Sequence, residues 1–497
     1  LGYGLIALIN TLAPTTPMGA PELPTPWLLG GFTVGLAVTM LASWLPTRRV
    51  VRVSPLAALR PDAAVDIHTA TGRVRLALAA LLLVTGLALL GVAMSQDSTA
   101  LLLAGGGSVF TGVLLFGPVL VPRLVQITGA LLGPAGRLAT KNAVRNPRQT
   151  ATTTASLLVC VTLTTAVLTG SATTRAAVDE ERDRSHPIDA ALTSPETPVT
   201  TDLLDQVRRT PGVEQAISVE GAMAQVAGLD EPILVVTAPD AEQVARDGGA
   251  FAQVEPGMIS LDPAAFRKDL GIQLGDQVTV QAGDRQDQLQ ATFLSGWGQT
   301  GGVAPETLAQ LTDSPEPHAI WIRAAPDADP IQLVDDLAGL ADAAGAEIHD
   351  QLQARATEDQ QLDILTWSVL GLLGIAVVIA LIGIANTLGL SVLERAREHA
   401  MLRALGLTRR QLRRMLAAEA VLLSVVATLL GTVIGVGFAW AGYETVVKRA
   451  LSDATMQVPW LSLGVVVLIA ALAGLLAAVL PARRAARVTS AAGLSLD

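Results

Sequence analysis

Seven stretches of the chain contain no Asp, Glu, Lys or Arg: 23–47, 76–96, 98–122, 149–174, 364–393, 420–443 and 454–482. Each is rich in Leu, Val, Ala, Gly and Ile. A helix rising about 1.5 Å per residue needs roughly 20 apolar residues to cross a hydrocarbon core of about 30 Å, and every stretch is long enough. Residues 1–12 read as the end of a further spanning helix. Between 175 and 363 the pattern changes to short alternating segments with no long apolar run. Thr201–Arg209 reads as a helix, 213–219 and 232–237 as strands, 240–247 as a helix, 277–281 and 289–294 as strands. A helix near 304–311, a strand at 318–324 and a helix at 330–343 follow, the last opened by the cap and first-turn pair Asp329-Pro330. The polar stretch 351–363 is helix-prone and extends span 364–390 outward as a stalk. The pattern predicts a membrane all-α helical bundle, seven full transmembrane helices plus a partial one, with an inserted extracytoplasmic α+β domain.

Composition sharpens this. Of 497 residues, 51% are hydrophobic and 16% charged, against about a quarter charged in soluble chains. The net charge of −10 conceals a strong separation. Residues 175–363 hold 34 acidic and 11 basic groups, or −23. Alternating the short loops across the membrane puts 48–75, 123–148, 394–414 and 483–497 on one side, with 21 basic residues, while the short loops opposite hold only Lys448 and Arg449. The positive-inside rule makes the first side cytoplasmic, so the acidic domain faces out and the C-terminus lies inside.

A repeat organises the rest. Leu45-Pro46-Thr47-Arg48-Arg49-Val50-Val51-Arg52 recurs as Leu480-Pro481-Ala482-Arg483-Arg484-Ala485-Ala486-Arg487, and Pro26-Trp27-Leu28 as Pro459-Trp460-Leu461. The expected organisation is the end of one membrane unit at 1–60, and a linker with two connecting helices at 61–136. A second unit then has its first helix at 137–174, the outward domain and stalk at 175–363, and three further helices at 364–497. A mirrored first unit implies about 300 further residues before Leu1.

Chemistry is sparse. The lysines are Lys141, Lys268 and Lys448, none preceded by Gly and none followed by Ser or Thr; a phosphate-binding loop needs Gly-Lys-Ser/Thr, so the chain is not expected to be an enzyme. The five histidines lack metal spacing. Asp335-Asp336 and Asp179-Glu180-Glu181 read as solvated charge ahead of a Ca²⁺ site. Cys160 reads as a packing residue, and charge-free spans disfavour an ion-coupled transporter. Gly31–Gly35 and Gly431–Gly435 have the spacing of close helix contacts. Net charge of −23 outside repels nucleic acid.

The most informative stretch is Glu394-Arg395-Ala396-Arg397-Glu398-His399-Ala400-Met401-Leu402-Arg403-Ala404-Leu405-Gly406-Leu407-Thr408-Arg409-Arg410-Gln411. Helical spacing continues through Leu402 and Leu405, Gly406 suits a left-handed helix stop, and Thr408 with Gln411 fits a capping box. A solvated hairpin whose arginines face anionic lipid explains the same residues. This run, together with Leu138–Arg148 and the LPxRRxxR endings, resembles the cytoplasmic signature of FtsX-like (MacB-like) ABC-transporter permeases. The duplicated arrangement resembles the ten-helix type common in actinobacteria. The resemblance implies a bacterial plasma-membrane permease subunit exporting or extracting a lipid, lipoprotein or peptide, or controlling a cell-envelope partner. It implies an ABC ATPase subunit, expected as a dimer, that docks on Glu394, Arg395, Arg397, Glu398 and Arg403 with Gly406 as the turn. No cofactor is expected in this chain; ATP and Mg belong to the ATPase. Membrane lipid and an extracytoplasmic protein or lipid client are the other expected partners. The alternative is a non-transporting membrane sensor or scaffold with an extracellular ligand-binding domain.

Overall fold

The computed structural model describes residues 25–50, 70–129, 140, 147–195, 197–246, 254–262, 272–293, 299–394, 408–451 and 454–487. Among these, ten helices and nine strands matter here. The helices are α1 (Thr25–Val50), α2 (Ala70–Gln96), α3 (Thr99–Gly129), α4 (Pro147–Ser185), α5 (Thr201–Arg209), α6 (Pro305–Leu311), α7 (Pro330–Ala344), α8 (Leu352–Glu394), α9 (Arg409–Gly442) and α10 (Trp460–Arg487). The strands are β1 (Ala190–Thr193), β2 (Val213–Val226), β3 (Ile233–Thr237), β4 (Met258–Leu261), β5 (Gln277–Ala282), β6 (Arg285–Phe293), β7 (Thr300–Val303), β8 (Glu316–Ala324) and β9 (Glu347–Asp350).

Five helices are long and apolar enough to cross a membrane: Gly72–Gln96, Thr99–Gly129, Thr150–Ser185, Leu352–Gly383 and Ala417–Ala450. Trp460–Leu476 is a shorter apolar helix. The chain is therefore a helical membrane protein carrying a sheet-containing domain, with five such helices among the described residues against the seven expected from the charge-free stretches. Stretch 23–47 falls in α1, many of whose side chains lie outside the described residues, as do residues 1–12. Both copies of the repeated motif sit at the ends of helices: α1 and α10 open at Pro-Trp-Leu and close over the Leu-Pro-x-Arg-Arg run.

The chain forms two compact units, residues 1–89 with 104–120, and residues 90–103 with 121–497. In the first, α2 and α3 approach closely where glycine removes a side chain. A Cβ on Gly86 would lie 2.6 Å from the Val109 nitrogen, and Ser108 donates to the Leu82 carbonyl at 2.9 Å. Gly31 and Gly35 have open space around the Cβ position, so their spacing serves no contact within the described residues.

In the second unit, α4, α8, α9 and α10 form a bundle. The Gly431–Gly435 spacing on α9 is used: a Cβ on Gly435 would meet the Thr162 carbonyl at 2.6 Å, and one on Gly431 would meet Val161 at 3.0 Å. The facing side of α4 is a buried threonine stripe, Thr154, Thr162, Thr165, Thr169 and Thr173. Small residues on both partners let the backbones approach, as membrane packing requires where no hydrophobic drive acts between helices.

The α+β domain is built on one nine-stranded sheet in which β2 pairs with both halves. Strands β2, β8, β1 and β9 pair antiparallel in that order. With α5 and α7 they make the β-α-β-β-α-β arrangement of a split βαβ fold. Alternation along β8 sends Ile320 and Ile322 into the core with Leu203, Val207, Leu333 and Leu337 of the helices. Ala319 and Trp321 point to the opposite face, against Val219 and Val244. Residues 227–315, between β2 and β8, carry the strands that extend the sheet beyond β2. There β2 continues into pairing with β3 and β5, and the pairs β3–β7, β7–β4, β4–β6 and β6–β5 close a six-stranded ring. Its core is Val226, Val235, Ile259, Leu261, Val280 and Leu289, joined by Leu308 and Leu311 of α6.

Local signals explain the helix ends. Thr200 caps α5 by accepting from the Leu203 N–H at 3.2 Å. Asp329 caps α7, accepting from Ile331 and Gln332; Pro330 opens the first turn, and Gly345, at φ +67°, closes the helix. The expected helix at 240–247 is corrected over its described residues, 240–246: only Ala241–Gln243 forms a 3-10 turn, and Asp240 makes no side-chain cap. Val244 and Ala245 are buried, and the Arg246 N–H donates to the Pro187 carbonyl at 2.9 Å in place of a helical acceptor. Strands β1, β4, β7 and β9 were not expected; four residues each give no readable period.

Candidate functional site

The helices that join membrane to domain carry the candidate mechanism. α8 is a single 43-residue helix. Its outer end, Leu352–Asp363, is the expected stalk. Its other end, Glu394, reaches the segment expected to meet an ATPase. The side chain of Glu394, and all of Arg395, Arg397, Glu398, Arg403 and Gly406, lie outside the described residues. The far side of that segment is described: Thr408 Oγ1 accepts from the Gln411 N–H at 3.3 Å, and Gln411 Oε1 accepts from the Thr408 N–H at 2.9 Å. This is the expected capping box, and it fixes where α9 begins.

The stalk is a helix pair. α4 runs 39 residues to Ser185, well past the end of its charge-free stretch at 174, and its last turns lie antiparallel to the first turns of α8. Arg175 pairs with Asp363. Arg182 meets Glu358 at 2.7 Å and Asp359 at 3.7 Å, and Arg355 meets Asp183 at 2.9 Å. Within α4, Arg182–Asp179 and Arg184–Glu181 pair three residues apart, the spacing that places side chains on one helix face. Glu180 stands 3.7 Å from Arg184, so Asp179, Glu180 and Glu181 are all arginine partners.

Burial makes these contacts unequal. The Arg182 side chain is 11% exposed and that of Glu358 57%. Burial pushes the Asp179 carboxyl above the ordinary aspartate range; Asp359 adds to this, while Arg182 acts against it.

Where the pair meets the domain, several elements converge on Asp189, whose side chain is wholly buried. Arg246 donates to it bidentately at 2.9 and 2.8 Å, and the Ala324 N–H donates at 2.9 Å. Hydrogen bonding to Asp189 raises the Arg246 pKa. A crevice of about 480 Å³ lies beside this cluster, lined by Arg182, Arg246, Arg355 and Asp359 among others. Sequence reasoning missed Asp189, Arg246 and Arg355. The available signal was the charge density of 179–189 and 355–363, which the helix pair brings together.

Sequence comparison bears on the membrane half. Residues 370–489 match the FtsX-like permease C-terminal family. A 157-residue stretch is 30% identical to the uncharacterized ABC transporter permease YknZ of Bacillus subtilis (strain 168), covering 32% of this chain and 38% of that relative. The chain thus spans well under half the length of the curated relative it matches. The periplasmic region of MacB from Actinobacillus actinomycetemcomitans is matched at 9% identity over 37% of this chain and 97% of that one, with a TM-score of 0.22. The inner part of α8 and all of α9 and α10 fall on residues 370–489, so it is this membrane half that is similar to the FtsX-like permease C-terminal family.

Proposed function

We propose that this chain is the transmembrane permease subunit of an ATP-driven ABC complex. A separate ATPase subunit, acting as a dimer with ATP and Mg bound to it, docks from the cytoplasm on Glu394, Arg395, Arg397, Glu398 and Arg403, with Gly406 as the turn. Nucleotide-driven closure of the ATPase moves the inner end of α8. The stalk delivers that movement to the outward domain, which acts on a lipid, lipoprotein or peptide client or on a cell-envelope partner. In this reading the C-terminus is cytoplasmic, residues 175–363 are extracytoplasmic, and 1–60 closes a first membrane unit.

The observation that carries the proposal is the continuity of α8. One unbroken helix of 43 residues, about 65 Å at the α-helical rise, runs from the domain to Glu394, where the charged coupling segment begins. A rod transmits a push; a chain with a flexible break dissipates it. The sensor or scaffold reading gives no reason for such a rod to end at a family coupling region. The test is to replace Glu394, Arg395, Arg397, Glu398 and Arg403 with Ala or Gln in the full chain, co-expressed with its ATPase. Loss of ATPase association supports the proposal; unchanged association and turnover reject it.

A further inference from the structure

The stalk could meet the outward domain through a hinge or through a fixed joint. The connections leave little room for a hinge. Four residues, His186 to Asp189, separate α4 from β1, and Gln351 alone separates β9 from α8. Both are tied down. Gln351 N–H donates to the Asp189 carbonyl at 2.9 Å, and Arg246 N–H donates to the Pro187 carbonyl at 2.9 Å.

The Asp189 carboxylate closes the joint. Oδ1 accepts from Arg246 Nε, and Arg355 Nη1 stands 3.4 Å away. Oδ2 accepts from Arg246 Nη2 and from the Ala324 N–H at the end of β8. Arg355, on the first turn of α8, also reaches Asp183 Oδ1 at 2.9 Å on α4 and the His186 carbonyl at 2.5 Å. One buried acid thereby touches the two stalk helices, through Arg355, and the β-domain, through Arg246 and Ala324. A buried ion pair is weak evidence for stability, since apolar replacements of the same shape often serve as well, but it fixes geometry because each partner must be satisfied.

We infer that Asp189 is the positioning residue of a rigid joint, with Arg355 as its tether to the stalk, so that α4, α8 and the outward domain move as one body. The mechanical consequence rests on the permease reading; the rigidity does not. A joint of this kind converts a small tilt of the stalk into a larger sweep of the distal six-stranded ring.

The test uses the full chain in lipid nanodiscs with spin labels at Gln361→Cys on α8 and Asp336→Cys on α7, both exposed positions. Cys160 is buried and is replaced by Ala. A second pair, Asp336→Cys and Asp284→Cys, reports on the domain alone. Arg355→Met keeps the packed stem and leaves the Asp189–Arg246 pair intact. It is expected to broaden the stalk-to-domain distance distribution about twofold, with the intradomain distribution unchanged. Arg355→Lys restores one donor and is expected to recover part of the width. An unchanged stalk-to-domain width in Arg355→Met overturns the inference. So does broadening of both pairs together, which marks a purely structural role. Neither result touches ATPase docking, so the joint and the permease reading fail separately.

Discussion

Arg182 on α4 lies 2.7 Å from Glu358 on α8. These residues are 176 positions apart in the chain, and their contact registers the two stalk helices. The arginine is nearly buried and the glutamate is open to water, so removing one is not equivalent to removing the other.

A double-mutant cycle on this pair should show that asymmetry. Glu358→Ala is expected to cost under about 1 kcal/mol, as for exposed ion pairs. Arg182→Ala leaves Asp179, Glu358 and Asp359 facing one another without their cation, and should cost about 1–3 kcal/mol. Thermal unfolding in detergent, followed for both single variants and the double, checks the order and gives the coupling energy.

Asp179 predicts a pH dependence. Its carboxyl titrates above the usual range, first because it is desolvated and then because Asp359 faces it. Ionising it therefore costs more in the folded chain than in the unfolded one. Its stabilising contribution is complete below the ordinary aspartate value and is lost as pH rises through the raised folded value. Asp179→Asn should raise the Tm at pH 7, and the advantage should vanish toward pH 3. A Tm difference that grows on acidification contradicts the assignment.

The α4–α9 seam should not tolerate a side chain. Gly435→Leu places carbons where the Thr162 backbone and Thr165 already sit. Overpacking of about 1–3 kcal/mol is expected, and more if the helices separate. Gly437→Leu on the same helix, with open space around its Cβ position, serves as the control. The Tm of the two variants in one detergent decides this.

The outer stalk, the start of α9, and helices α5 and α7 were legible because local chemistry dictates them. Thr408 and Gln411 satisfy each other, Asp329 accepts from the N–H groups it precedes, and α5 begins at the expected Thr201, capped by Thr200. The extension of α4 was not legible as a stalk, because charge-free length marks where a membrane ends and says nothing of where a helix ends. Nor was the ring in the outward domain. It depends on β2 changing partners from β8 to β3 and β5 along its length, a long-range choice with no local signature. Asp189 looked like one of 34 acidic residues in its segment; only the fold shows that it is the buried one on which two arginines converge.

The capping box offers a local test beside the proposed ATPase contact. Thr408→Ala removes the side-chain acceptor for the Gln411 N–H and should cost about 1 kcal/mol at that helix end. Amide exchange at residues 409–412 should accelerate several-fold, while exchange in the middle of α9 stays unchanged. Uniform acceleration along α9 contradicts a purely local cap.

Photo-crosslinking tests the central claim most directly. A photoreactive amino acid is placed singly at Arg397, Glu398 or Lys448 in the full chain, in membranes that contain the partner ATPase. Covalent capture of the ATPase is expected from Arg397 and Glu398 and none from Lys448, which the proposed topology puts on the outer face. Capture from Lys448, or no ATPase captured from either Arg397 or Glu398, contradicts the claim.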